Sequence, residues 1–313
     1  MESTISQEQV TSAIRDVFVA LADEAAFNFP VVRDKLDYKD AIFGFKSGFD
    51  RSGPTLAVKA GGLWPANRAA GLPNHQSTIV LFDSDTGGPH ALVRGTYLTA
   101  LRTAAASALS IRALAREDVT TLGLIGAGGQ APFQIRAALQ EREFSRVIVH
   151  DADEAATTSL VASLSDLPVE CFALGPRELC EQSDVIITVT PSREPFIQSD
   201  WVCPGTHIAC MGADTKGKHE VAIDLVVRSH LFCDEADQAT TIGECQHAYG
   251  AGLIDLSALT PLGDVLRGAA EGRTSDSAIT LFDSTGMGLQ DLAAANMALE
   301  VAMREGLAKQ LDE

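Results

Sequence analysis

The chain has 313 residues, 46% of them hydrophobic, which is enough for two domains with cores of their own. Its formal net charge of −18 argues against nucleic acid or an anionic membrane surface as a partner, and an anionic substrate needs a local cationic pocket. No apolar run reaches the roughly 18 residues of a transmembrane helix. The start, Met1-Glu2-Ser-Thr-Ile-Ser, shows no basic stretch followed by an apolar one, and the six cysteines form no Cys-x-x-Cys pair. A cytoplasmic protein with reduced core thiols is expected.

Ser6-x-x-Gln9 has the form of a capping box, and Val10, Ile14, Val17, Phe18 and Leu21 follow at helical spacing, so the first element is an amphipathic helix. Strands are expected over 41–49, 55–60, 77–82 and 90–94, with turns at Asp50-Arg-Ser-Gly53 and Asp83-Ser-Asp-Thr-Gly-Gly88. A long helix follows from about 97 to 115, so the first third reads as an α+β module with a largely antiparallel sheet. From Val119 parallel strands alternate with helices, the strands falling at 121–126, 146–150, 169–172, 185–190, 206–211, 230–233 and about 278–282. A last helix, Leu289 to about Leu307, is expected to return to the first module. The fold class is therefore α/β: a Rossmann dinucleotide-binding domain over 118–288, beside a discontinuous α+β domain of 1–117 and 289–313.

The cofactor signal is Gly126-x-Gly128-x-x-Ala131 after a short apolar strand, with Gly129 and Gln130 in the same loop. Gly126 permits a tight turn, Gly128 lets the backbone approach a pyrophosphate, and Ala131 lets helix and strand pack closely. The pyrophosphate rests on the unsatisfied N–H groups of a helix start. Asp151, ending the next strand, lies about 20 residues on, where a carboxylate accepts from ribose hydroxyls and repels a 2′-phosphate, favouring NAD.

Three cations sit in apolar or glycine-rich settings: Arg33 after Phe29-Pro-Val-Val, Lys59 in Leu-Ala-Val-Lys-Ala-Gly-Gly, and Arg102 in Leu-Arg-Thr-Ala-Ala-Ala. Burying such charges is costly unless they are paired. Each alone can snorkel to solvent or pair with one of many acids; together they suggest a carboxylate clamp, with Arg102 gripping bidentately and Lys59 as point charge or proton donor. His75 either orients substrate or is structural. Met211, Gly212 and Asp214 follow a parallel strand whose carboxyl end lines the cofactor crevice, so Asp214 is a catalytic candidate or a turn aspartate. Thr188 and Thr190 are expected near adenine or ribose, and Gly286, in Asp283-Ser-Thr-Gly-Met-Gly288, near the nicotinamide. No His-x-x-x-His or His-Glu-x-x-His pair occurs, so no metal site is expected.

Lys59, Arg102-Thr103-Ala-Ala, Gly126-Ala-Gly-x-Gln130, Gly212-Ala-Asp214 with Gly217-Lys, and Asp283-Ser-Thr-Gly-x-Gly-Leu-Gln-Asp291 together resemble the ornithine cyclodeaminase/μ-crystallin family over nearly the whole chain. The resemblance implies an NAD(P)-binding Rossmann domain, a discontinuous substrate-binding and dimerisation domain, a homodimer, and chemistry at the imine/amine pair of α-amino acids. It places Thr103 among the cofactor contacts, matches Arg33, Lys59 and Arg102 to the carboxylate-binding residues, and matches Asp214 to the catalytic aspartate. Asn28-Phe-Pro-Val-Val-Arg33, Phe43-Gly-Phe-Lys-Ser-Gly-Phe49, Lys59-Ala-Gly-Gly-x-Trp-Pro65 and Asn74-His-Gln-Ser-Thr look most like the branch that reduces iminosuccinate to L-aspartate. Cyclodeaminases place a glutamate near 42–46 to meet the amino tail of ornithine; here the stretch is Ile-Phe-Gly-Phe-Lys, and Lys46, Asn74 and His75 suit a second carboxylate instead. The rival implications are an ornithine cyclodeaminase that recycles NAD, an alanine dehydrogenase or ketimine reductase, and a ligand-binding protein of the μ-crystallin kind.

Overall fold

The computed structural model describes residues 5–53 and 55–310, so the first residues of the start considered above lie outside it. Two units emerge: one runs to Arg102 and resumes at Met287, and the other spans Thr103–Gly286. The division falls inside the helix Gly95–Leu114, upstream of the position expected from the change in sequence texture.

In the first unit, six strands among the described residues form one antiparallel sheet: β1 (Ala26–Asn28), β2 (Val32–Lys35), β3 (Ile42–Asp50), β4 (Thr55–Leu63), β5 (His75–Asp83) and β6 (Pro89–Arg94). Side chains alternate across a strand, and directly paired residues share a face. The register Arg33↔Gly44↔Gly61↔Ser77, Lys46↔Lys59↔Ile79 and Leu63↔His75 therefore puts Arg33, Lys46, Lys59 and His75 on one face. That face also carries the buried Ala57, Ile79 and Leu81. It is covered by the C-terminal helix Gly288–Arg304: a Cβ on Gly48 would meet Leu289 at 2.8 Å, and Asn28 Oδ1 accepts from the Leu289 N–H at 3.1 Å. The first helix, Gln7–Ala22, closes its capping box through Ser6 and Gln9 and buries Val10, Ile14, Val17 and Phe18. The opposite face of the sheet carries Val32, Phe45, Val58, Val80 and Leu92, of which Val32, Phe45 and Leu92 are exposed.

In the second unit, β7 (Thr121–Ile125), β8 (Arg146–His150), β9 (Glu170–Ala173), β10 (Val185–Thr188), β11 (His207–Cys210), β12 (His230–Cys233), β13 (Leu259–Pro261) and β14 (Thr280–Asp283) form a parallel sheet in the order β13-β12-β14-β11-β10-β7-β8-β9. β7, β10, β11 and β14 are buried along their whole length, as parallel strands covered on both faces must be. Strand order reverses between β7 and β10, and the carboxyl ends at such a switch point are where open α/β sheets hold ligands. Sequence patterning did not foresee β1, β2 or β13. The first two are short, β2 carries Arg33, Asp34 and Lys35, and β13 ends on a proline.

Candidate active site

Two cations of the first unit, Lys59 and Arg102, converge on one carboxylate that sequence reading left without a role. Lys59 Nζ lies 2.7 Å from Asp291 Oδ2, and Arg102 Nε donates to Asp291 Oδ1 at 3.0 Å. Arg102 Nη1 donates to Gln290 Oε1 at 3.1 Å, and the same oxygen accepts from the Met287 N–H. Lys59, Arg102, Gln290 and Asp291 are all buried, and one turn of the C-terminal helix thus holds both cations. Arg102 was expected to offer its fork to a substrate carboxylate; Nε and Nη1 serve the protein, and Nη2 is the nitrogen those contacts leave aside.

The electrostatics follow from this crowding. Burial brings the Lys59 ammonium down to about 7, with Asp291 pulling upward and Arg102 and Lys46 pushing further down. Burial opposes ionisation of Asp291, yet Arg102 and Lys59 hold its carboxyl below the usual range. Burial, with Lys59, Arg102 and Arg33 adding to it, takes His75 down to about 3. His75 is therefore an uncharged hydrogen-bonding group at neutral pH. Gly44 and Gly61, paired with each other, leave a lane free of side chains between Arg33 on β2 and Ser77 on β5.

In the second unit, Gly126 follows β7 directly with φ +111°, and a Cβ there would lie 2.8 Å from the Val189 carbonyl oxygen. The fold demands that glycine. A Cβ on Gly128 or Gly129 would meet nothing within 4 Å, so no neighbour in the protein calls for glycine at either position. The helix that follows, Ala131–Ala138, has no side-chain cap, and the buried Gln130 Oε1 has no hydrogen-bond partner. Open space over two glycines and a helix start without a side-chain cap fit a dinucleotide pyrophosphate, while the orphaned Gln130 oxygen, an acceptor, suits a hydroxyl donor. Ala131 is fully buried. Asp151 accepts from the Ala127 N–H at 2.6 Å and the Asp153 N–H at 2.9 Å, so part of its carboxylate braces the glycine loop.

Two buried acids not singled out from sequence organise the neighbouring loops. Glu220 accepts from the Thr188 hydroxyl at 2.8 Å, the Thr190 hydroxyl at 2.7 Å, the Thr190 N–H at 2.8 Å and the Gly212 N–H at 3.1 Å. The hydroxyl protons expected to face adenine or ribose go instead to Glu220. Asp234 accepts from the Gly286 N–H at 2.7 Å and the Ser284 hydroxyl at 3.1 Å, fixing the loop after β14. Met211 is buried and donates its N–H to the Thr188 carbonyl. Thr103 is buried on its helix. Asp214 is ion-paired with Lys218 at 2.6 Å and accepts from Thr215 at 3.2 Å. Among the described residues, no three His, Cys, Asp or Glu side chains gather as a metal site, and no helix is long and apolar enough to cross a membrane.

Residues 30–306 match the ornithine cyclodeaminase/mu-crystallin family. The chain belongs to that family. Among its relatives, the iminosuccinate reductase of Paracoccus denitrificans (strain Pd 1222) is 45% identical over 308 residues, 98% of this chain and 96% of that protein. The crystal structure of the Paracoccus denitrificans iminosuccinate reductase in complex with NAD+ matches with a TM-score of 0.93 at 44% identity, covering 100% of this chain and 97% of that one. The Δ(1)-pyrroline-2-carboxylate reductase of Thermococcus litoralis, in complex with NADH and L-proline, gives a TM-score of 0.95 at 29% identity over 99% and 97% of the two chains. An archaeal alanine dehydrogenase dimer with bound NAD gives 0.93 at 31% identity over 99% and 96%.

Proposed function

We propose that this family member is an NADH-dependent imine reductase converting iminosuccinate to L-aspartate. The observation that carries the reading is the gathering of cations on one face of the antiparallel sheet. Lys59 and Arg102 meet on Asp291, Lys46 pushes on the same ammonium, and Arg33, Lys59 and Arg102 together act on His75, in a chain 45% identical to an iminosuccinate reductase. In a protein of charge −18, such a cationic face suits a dianionic substrate. Lys46, on the site face opposite Lys59, repels the ammonium tail of a diamine, which disfavours ornithine cyclisation.

Gly126, Gly128, Gly129 and Gln130 hold the dinucleotide backbone, with Asp151, Thr188, Thr190, Met211, Gly212, Thr103 and Gly286 around it. Bound there, NADH supplies the hydride that reduces the imine carbon, leaving NAD+. Arg33, Arg102 and Lys59 hold the α-carboxylate and fix the orientation of the C=N bond; Lys46 and the neutral His75 meet the second carboxylate. Lys59 donates the proton that the nitrogen takes as the C=N electron pair moves onto it. Asp214 provides the counter-charge to the cation at that nitrogen.

The reaction is tested by NADH oxidation with oxaloacetate plus ammonia, which form iminosuccinate in solution, beside pyruvate plus ammonia and ornithine with NAD+. A rate with oxaloacetate well above that with pyruvate is expected; proline formation from ornithine without absorbance change would replace the reading. Because Lys59 is charged below about 7 and loses its charge as pH rises through that value, kcat/KM should fall about tenfold per pH unit on the alkaline side. The pH dependence of imine formation is measured separately by NMR on oxaloacetate and ammonia and divided out, which isolates this limb.

The protein is proposed to act in the cytoplasm as a homodimer. Val32, Phe45 and Leu92 leave an apolar sheet face exposed, beside a depression lined by Phe29, Leu56, Val58 and Phe82, and a second copy is the occupant best matched to such a face. The double variant Phe45→Lys/Leu92→Lys is expected to sediment as a monomer where the wild type sediments as a dimer; an unchanged sedimentation coefficient would dismiss this face as the interface.

A further inference from the structure

We propose that Asp291 is the positioning residue of the active site, its carboxylate fixing Lys59 and Arg102 side by side and keeping Lys59 in its protonated state. The inference rests on the reductase reading for its substrate and on geometry for the rest. Asp291 sits in the first turn of the C-terminal helix, where the helix dipole favours an anion. Its two oxygens are divided, Oδ2 to Lys59 at 2.7 Å and Oδ1 to Arg102 at 3.0 Å, and side-chain exposure is 7% for each cation and 2% for Asp291. Two cations at that burial repel each other and lose their hydration, so the anion between them decides whether both stay charged. Gln290, one residue earlier, accepts from Arg102 Nη1, so the guanidinium is held at two nitrogens from one helical turn.

The charged groups around Lys59 come from every element packed there. Arg102 on the long helix and Lys46 on β3 lower its proton affinity, Asp291 on the C-terminal helix raises it, and the neutral His75 on β5 interacts with it. Asp291 is the one group in that set that opposes loss of the proton. Removing its charge while keeping its shape therefore has a specific consequence. Lys59 loses its proton at lower pH, and catalysis fails first on the alkaline side.

The test is Asp291→Asn, nearly isosteric. Its kcat/KM for the imine, as a ratio to wild type at each pH, should fall about 100-fold near neutrality. The alkaline limb should move at least about one pH unit to the acid side. NADH affinity should stay within about twofold. Asp291→Glu, which keeps the charge, should leave the limb in place while lowering kcat. A limb unmoved in Asp291→Asn overturns the proposal, since a structural role alone would lower the rate without shifting the limb. A second readout needs no turnover: the pH midpoint for modification of Lys59 by an amine-directed reagent, followed by peptide mass spectrometry. That midpoint should also move to the acid side in Asp291→Asn, so failure of the reductase reading is separable from failure of this one. Should the Asn variant not fold, the same midpoint is read in Asp291→Ser: a shift to the acid side of wild type supports the proposal, and an unmoved midpoint overturns it.

Discussion

Arg102→Lys is expected to lower kcat/KM by about 10² to 10⁴ while leaving the protein folded and able to bind NADH. The guanidinium donates from Nε to Asp291 and from Nη1 to Gln290 at once, and a lysine ammonium cannot reproduce that planar pair. Hydrogen bonds involving charged groups contribute about 1.5–3 kcal/mol each, and about 1.4 kcal/mol is tenfold, so losing two gives the stated range. Positive charge is conserved, so the loss reports orientation and not simple attraction. Arg102→Glu should go further and abolish turnover, because it sets a second carboxylate beside Asp291 and repels a dianionic substrate. An Arg102→Glu enzyme with measurable reductase activity would remove Arg102 from the site.

The second large effect separates two glycines of one loop. Gly126→Ala forces a side chain onto φ +111° with its Cβ 2.8 Å from a carbonyl oxygen, so both thermal stability and NADH affinity should fall. Gly128→Ala adds its Cβ to empty space, so the apparent Tm should stay close to wild type. NADH affinity should still drop at least about tenfold, because the added methyl stands where the pyrophosphate approaches the backbone. NADH fluorescence titration and a melting curve on each variant check this. Equal NADH affinity for Gly128→Ala and wild type would mean that the loop does not cradle the pyrophosphate.

The alternation of strands with helices after Val119, and the apolar strand running into Gly126, were legible because both follow from local patterning. The three cations were legible because charge inside apolar strands and helices is costly enough to stand out. The counter-ion of Lys59 and Arg102 was not. Asp291 lies 189 residues from Arg102 along the chain and appears in sequence as an ordinary acid opening a helix. A carboxylate in the first turn of a largely apolar helix was the signal available, and it acquires meaning only when the helix lands on the sheet face that bears Lys59. Glu220 escaped for the same reason: its partners Thr188, Thr190 and Gly212 arrive from two other strand ends. The role of His75 was equally non-local, since its proton affinity is set by burial and by Lys59, Arg102 and Arg33 from three different elements.

Hydride delivery to a carboxylated imine is the central claim, and isotope transfer tests it most directly. Wild-type enzyme is incubated with oxaloacetate, ammonia and NADH carrying deuterium at either face of nicotinamide C4, and the aspartate is examined by NMR and chiral chromatography. The account predicts L-aspartate with one deuterium at C2 from one labelled face and none from the other, with one NADH consumed per aspartate formed. Aspartate without deuterium at C2 from either face, or no aspartate formed, would contradict it.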